Sequence, residues 1–219
     1  MNSTTVSPDT LLAQCQVVYD SLLLSIDFSE PRFRCALACV AFNPIFWNIA
    51  ARLEYSTHIL TKIAGGAKRG CYLLALTIFS LGIGRDYMYE QALRLQQTSP
   101  YMQCDALVYL GYAALGLGQL LVLTSMYQLG ITGTYLGDYF GILMDSRVTA
   151  FPFNVSNNPM YQGSTLSFLG MALVAGKPAG LVVAAAVHLM YAIALWFEEP
   201  FTAKIYARRD QQRGDKKQQ

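Results

Sequence analysis

Two adjacent carboxylates, Glu198 and Glu199, follow an apolar run over residues 179–197 whose one ionisable group is His188, and Pro200 comes directly after them. Acidic residues at a helix C-terminus oppose the helix dipole, which favours cations there. The pair reads either as a solvated helix end or as a carboxylate cluster that holds an amino group or a sulfonium. Gly116-Leu117-Gly118 lies inside a second run, residues 106–129, that carries no charge. Glycines in a transmembrane helix commonly serve close packing. The sharper alternative is a cofactor lying against bare backbone, and on that view Gly111, outside the motif, should tolerate alanine far better. Gly133, Gly137 and Gly141 recur every four residues and would form one smooth stripe on a helix. Asp138 and Arg147 accompany them, as a mutual pair or as contacts to a phosphodiester. His188 reads as a core or pore-facing histidine with its hydrogen bond satisfied.

The connection from Gly130 to Ser164 is aromatic throughout, with Tyr135, Tyr139, Phe140, Phe151, Phe153 and Tyr161. Pro152, Asn154, Asn157, Asn158 and Pro159 break any helix after Arg147 and mark an ordered, turn-rich segment. Such a segment is either a well-packed interfacial linker, since Tyr favours that layer, or the wall of a site. Cys15, Cys35, Cys39, Cys71 and Cys104 have neither CxxC nor metal-ligand spacing, so neither a disulfide framework nor a metal site is expected. Asn2-Ser3-Thr4 and Asn154-Val155-Ser156 fit the glycosylation sequon, a frequent chance pattern.

The elements that must position these groups are helices in a bilayer. Of 219 residues 53% are hydrophobic and only 14% charged, against about a quarter in soluble domains. The net charge of +2 is too small to argue for nucleic acid. Residues 106–129 are long enough to cross about 30 Å of hydrocarbon. The expectation is an all-α polytopic integral membrane protein, with three to four spans and an intramembrane or re-entrant N-terminal helix. It forms one membrane-embedded domain over residues 1–219, with an interfacial segment at 1–32 and a cytosolic tail at 198–219. Leu11 to Phe28 reads as an amphipathic interfacial helix. Cys35 to Ala51 is short and interrupted at Asn43-Pro44, hence the re-entrant reading. Arg52 to Arg69 reads as a basic loop, and Arg85-Asp86 as a charged pair near a membrane boundary. The last dozen residues, from Arg208, read as disordered. Residues 163–197 are expected to turn back at Gly176 to Gly180 as a helical hairpin whose first arm is Ser164 to Ala175. That choice places Arg52, Lys62, Lys68, Arg69, Arg147 and the basic tail on one side, with Arg94 and Lys177 on the other, as cytoplasmic loops require.

Taken together, Gly116-Leu117-Gly118, GTYLGDYFGILMDSRV, FPFNVSNNPMYQGS and WFEEPFTAKIY resemble the phospholipid N-methyltransferases, the fungal members most closely. The likeness extends over nearly the whole chain from Phe33, including FNPIFWNIAARLEY. It implies transfer of a methyl group from S-adenosylmethionine to the head-group nitrogen of partly methylated phosphatidylethanolamines, ending at phosphatidylcholine, without a metal. It also implies that Gly116, Leu117, Gly118, Glu198 and Glu199 bind S-adenosylmethionine, and that the enzyme resides in the endoplasmic reticulum membrane, or also a mitochondrial one. Descriptions of that family give three full spans and one intramembrane helix, from which the hairpin departs. The residues themselves offer Tyr161, Asn158 and Asp138 as candidates for catalysis. Tyr135, Tyr139, Phe151, Phe153 and Tyr161 are candidates for an aromatic cage around a methylated ammonium, and Arg147 for the lipid phosphate. Asn158-Pro159-Met160-Tyr161 is similar to the Arg-His-Pro-x-Tyr signature of isoprenylcysteine carboxyl methyltransferases, but asparagine replaces the histidine. A prenylcysteine methyltransferase and a non-enzymatic scaffold or transporter are the rival readings.

Overall fold

The computed structural model describes residues 8–217. Helix α1 spans Pro8–Leu24, α2 Pro31–Thr57, α3 Ile59–Ala64, α4 Ala67–Leu95, α5 Asp105–Thr134, α6 Pro159–Ala175 and α7 Pro178–Lys217, with short 3₁₀ turns at Pro100–Met102 and Gly137–Phe140. Among the described residues three stretches, Pro31–Thr57, Asp105–Phe140 and Pro178–Arg213, are long and apolar enough to cross a bilayer. The all-α membrane architecture is therefore as expected.

Helix α2 is continuous where an interruption at Asn43-Pro44 was expected. Pro31 at its first turn and the Glu30 carboxylate, which accepts from Phe33 N at 2.6 Å, start it, and it then runs unbroken through Asn43-Pro44. A proline in a membrane helix removes one backbone hydrogen bond, and neighbours can re-satisfy the freed groups. Here Asn48 Nδ2 donates to Pro44 O at 3.2 Å, and Asn43 Nδ2 ties the helix to Leu81 O of α4 at 3.1 Å. The supposed basic loop also folds. The fully buried Glu54 carboxylate receives Leu60 N at 2.7 Å and the Thr61 hydroxyl at 2.5 Å, which holds α3 against the end of α2.

Helices α5, α6 and α7 form the other half of the bundle. Gly111 meets Gly170 and Gly118 meets Gly163, so α5 and α6 run antiparallel with their backbones in contact. A Cβ on Gly118 would lie 2.5 Å from Gly163 O, and one on Gly163 2.6 Å from Gly118 O. The hairpin after α6 is present. Gly176 takes the left-handed conformation (φ 63°), and Gly176 N and Lys177 N donate to Leu173 O and Ala172 O, both at 3.1 Å, before Pro178 begins α7. Its first arm starts at Pro159 rather than Ser164. Lys177 then reaches across to the last carbonyls of the α4 end, those of Leu93 and, at 2.8 Å, Gln96. Loss of water around its amino group lowers the Lys177 pKa.

Three further expectations are corrected. Gly133, Gly137 and Gly141 form no helical stripe: the first lies in the last turn of α5, the second opens a 3₁₀ turn and the third is a left-handed cap (φ 77°). The tail from Arg208 is helical as far as Lys217, because α7 continues past Pro200 and packs on the connection after α5. Ile205 is buried, Tyr206 OH accepts from Met144 N at 3.2 Å, and Arg209 donates to Met144 O at 2.6 Å. His188 is exposed on the outer face of α7, not in a core or pore.

Candidate active site

Helices α2, α4, α5, α6 and α7, with the connection after α5, enclose a cavity of about 550 Å³. Glu198 stands at its inner end and is only 9% exposed. Because α7 does not stop here, Glu198 is a mid-helix side chain rather than the helix-end group its sequence position suggested. One carboxylate oxygen accepts from Trp47 Nε1 at 2.5 Å and Asn48 Nδ2 at 2.9 Å, and the other from Tyr161 OH at 2.7 Å. Consecutive helix residues point about 100° apart, so Glu199 turns away from Glu198. It is exposed and accepts from Asn158 Nδ2 at 2.9 Å. Asn158 starts α6 without capping it by its side chain, which frees its amide for that contact. One turn beyond Glu198 on α7, the Thr202 hydroxyl donates to Asp138 Oδ2 at 3.0 Å, and Asp138 also lines the cavity. Two carboxylates thus share this end of the cavity, and among the described residues no lysine or arginine lines it there.

Aromatic rings close around the acidic end. Tyr161 and Tyr191 have centroids 4.8 Å apart, and Trp47 lies 6.4 Å from the first and 6.3 Å from the second. Tyr135 and Phe153 line the same space. Of the five rings expected to form a cage, Tyr135, Phe153 and Tyr161 therefore come together. Tyr139 is instead stacked on Phe201 at 5.1 Å in a separate core, and Phe151 is 41% exposed away from the cavity. Arg147 is also exposed. It donates to Asn157 Oδ1 at 2.9 Å and does not pair with Asp138.

All three residues singled out for catalysis, Tyr161, Asn158 and Asp138, face the cavity. The glycine motif does not. Gly116 is exposed, Leu117 is 50% exposed, and Gly118 is filled from outside by Gly163 and Ser167 of α6. Gly111 is as tightly packed as Gly118, with a hypothetical Cβ 2.8 Å from Val174 and 2.9 Å from Gly170 O, so the expected contrast between them is corrected. From α5 it is Gln119, Val122, Leu123, Met126 and Leu129, with Gly133 and Thr134 in its last turn, that reach the wall.

Trp47, Asn48, Thr202, Tyr191 and Arg85 belong to the site and were not recognised in the sequence. Arg85 carried a usable signal, since an ionisable group within a long apolar helix is a functional-site hypothesis by default. Trp47 and Asn48 carried none, because only the packing of α2 on α7 brings them to Glu198.

The sequence matches the model of the family described as phospholipid methyltransferase over residues 106–209. It is 66% identical over 195 residues, 89% of this chain and 95% of the relative, to phosphatidyl-N-methylethanolamine N-methyltransferase of Saccharomyces cerevisiae. The protein of the same name from Emericella nidulans is 57% identical over 192 residues, 88% of this chain and 94% of the relative. Phosphatidylethanolamine N-methyltransferase of Rattus norvegicus is 47% identical over 188 residues, 86% and 94% of the two chains. No solved structure matches. With a buried acidic and aromatic pocket at the join of five helices, and relatives aligned over most of both chains, the chain belongs to the phospholipid methyltransferase family.

Proposed function

We infer that this protein transfers methyl groups from S-adenosylmethionine to the head-group nitrogen of phosphatidyl-N-methylethanolamine and its dimethyl product, giving phosphatidylcholine. The observation that carries the reading is the Glu198 carboxylate, held within a ring of Trp47, Tyr161 and Tyr191 and joined by Asp138, with no lysine or arginine among the described residues that line that end of the cavity. Buried anions flanked by aromatic faces suit onium cations, and both the sulfonium donor and the methylated product are onium ions. A cavity near 550 Å³ falls in the size range of small-molecule sites.

The sulfonium supplies an electrophilic methyl group, which the neutral amine takes as the C–S bond breaks and S-adenosylhomocysteine leaves. The chain's own contribution is placement, and aligned reactants alone can supply roughly 7–11 kcal/mol. Trp47, Asn48 and Tyr161 fix the Glu198 carboxylate with three donors, and Asn158 orients Glu199 at the rim. Asp138 is the candidate that accepts the amine's proton before attack, its second oxygen held by Thr202. Gly118 acts indirectly, by letting α6 close on α5 so that Gln119 and Val122 reach the wall, while Gly116 and Leu117 face outward.

The chain forms one domain, with its substrate in the bilayer and its tail in the cytosol, in the endoplasmic reticulum membrane. The orientation is supported by the end of the bundle where Arg208 donates to Tyr55 OH and Arg209 to Met144 O, which gathers the basic residues, whereas Lys177 and Arg94 occupy the other end. Purified protein in detergent, given S-adenosylmethionine and phosphatidyl-N-methylethanolamine, should release phosphatidylcholine detectable by mass spectrometry. Absence of any methylated phospholipid would refute the assignment.

A further inference from the structure

Seven residues, about 10 Å along α7, separate Glu198 from Tyr191, where the polar character of the cavity reverses. Among the described residues that line it, Arg85 is the single cation. Its side chain is only 11% exposed, with the guanidinium lying 4.9 Å over the Phe168 ring. Nε and one terminal nitrogen meet Asp86 Oδ1 at 2.9 and 2.8 Å, and the other terminal nitrogen donates to Tyr191 OH at 2.6 Å. Tyr191 OH is in turn 3.0 Å from Ser164 Oγ. A guanidinium has N–H donors enough to hold a phosphate oxygen besides these partners. An arginine drawn into a membrane bundle and fixed by a tyrosine on another helix is costly unless it serves a ligand.

The same region opens sideways. Helices α4 and α5 touch only sparsely, in contrast to the close seam between α5 and α6. Phe79 and Ile83 of α4 and Leu123 of α5 line the cavity and remain 51%, 56% and 62% exposed, the pattern of an open mouth between these two apolar helices. Gly82 lies in that mouth, and a Cβ added there would meet nothing within 4 Å. The backbone of α4 is therefore notched one turn before Arg85.

Building on the methyl-transfer reading above, we propose that a phospholipid enters between α4 and α5 at the Gly82 notch and seats its phosphodiester on Arg85. Its amine then points along α7 toward Glu198. A hydrogen-bonded phosphate, a two-carbon spacer and a nitrogen bridge a distance of the order that separates Tyr191 from Glu198. The acyl chains remain outside among Phe79, Ile83 and Leu123. Asp86, 59% exposed, stays on the guanidinium beside the phosphate, and its negative charge opposes that of the bound lipid.

The test uses the full chain in detergent with dihexanoyl phosphatidyl-N-methylethanolamine. R85Q should raise the KM for this lipid by about 10- to 100-fold, the usual scale for a lost charge-assisted hydrogen bond, and R85K should restore part of it. S-Adenosylmethionine binding by equilibrium dialysis should stay unchanged in both. The Cβ of G82L enters open space, so the variant should keep the melting temperature of the unmodified chain and yet block lipid turnover. D86N should act in the opposite sense and lower the KM. Retention of the same lipid by native mass spectrometry, without S-adenosylmethionine, reads the site independently of catalysis: it should be lost in R85Q and G82L and absent for diacylglycerol in the unmodified protein. Equal retention in R85Q, G82L and the unmodified chain would overturn the proposal even if methyl transfer is confirmed. Retention that depends on Arg85 in a protein that transfers no methyl group would uphold the lipid seat and overturn the reaction instead.

Discussion

Gly111→Ala and Gly118→Ala should both damage the protein through packing, whereas Gly116→Ala should not. A Cβ at Gly118 would stand 2.5 Å from Gly163 O and 2.9 Å from Ser167 N, both backbone atoms of α6 that no rotamer change can move. At Gly111 the corresponding obstacles are Gly170 O and Val174 N, each 2.9 Å away. Relief requires α5 and α6 to part by most of an ångström, and overpacking of this kind costs about 1–3 kcal/mol. The helix-propensity gain of Gly→Ala, about 1 kcal/mol, offsets only part of that. At roughly 2–4 °C per kcal/mol for a chain of this size, each variant should melt a few degrees lower in detergent. The displacement also carries Asn158 and Tyr161 away from Glu199 and Glu198, so S-adenosylmethionine affinity should fall with stability. At Gly116 an added Cβ meets nothing within 4 Å, so alanine there should leave melting temperature and affinity unchanged or slightly improved. Melting curves paired with dialysis of labelled S-adenosylmethionine provide the assay. A Gly116→Ala protein that melts normally but binds the cofactor poorly would refute the packing argument and restore a direct contact at the motif.

Glu198→Gln keeps the shape of the side chain but removes the charge from three donors, so S-adenosylmethionine affinity should fall about 10-fold or more, measured by the same dialysis. Trp47→Phe keeps one aromatic ring near Tyr161 and Tyr191 but loses the indole N–H on Glu198 and part of a buried side chain, so it should weaken cofactor binding by a smaller factor and lower the melting temperature by a few degrees. Lys177→Met leaves the carbonyls of Leu93 and Gln96 without their ammonium partner and should lower stability by about 1–3 kcal/mol while the KM values stay put. In sealed microsomes, a cysteine replacing Lys177 should resist an impermeant reagent until the vesicles are opened, and one replacing Asn157 should react from outside or be shielded by S-adenosylmethionine.

Local chemistry was enough for much of this molecule. Uncharged runs of about 20 residues decided the helical membrane class, because a single segment satisfies its own backbone hydrogen bonds there only as a helix, and barrel strands are about half that length and alternate in polarity. Gly176 followed by Lys177-Pro178 decided the hairpin, because a left-handed glycine and a proline end one helix and start another within three residues. The acidic pair and the Asn158–Tyr161 segment were legible as chemistry before any fold was known. What tertiary structure alone decided is which of these groups meet. Trp47 and Asn48, about 150 residues from Glu198, reach it only because α2 packs on α7. Pro44 reads locally as a break, yet the helix passes through it, tied to α4 by Asn43 on Leu81 O and braced by Asn48 on Pro44 O. The polar composition of the tail hides a packed contact, Arg209 on Met144 O beside Ile205 and Tyr206, that needs the connection after α5 to lie on. Arg85 reads as a boundary charge until α7 sets Tyr191 against it. Side-chain type and spacing are local properties, whereas the pairing of helices in a bundle depends on contacts summed over the whole chain, and a site assembled from five elements inherits that dependence.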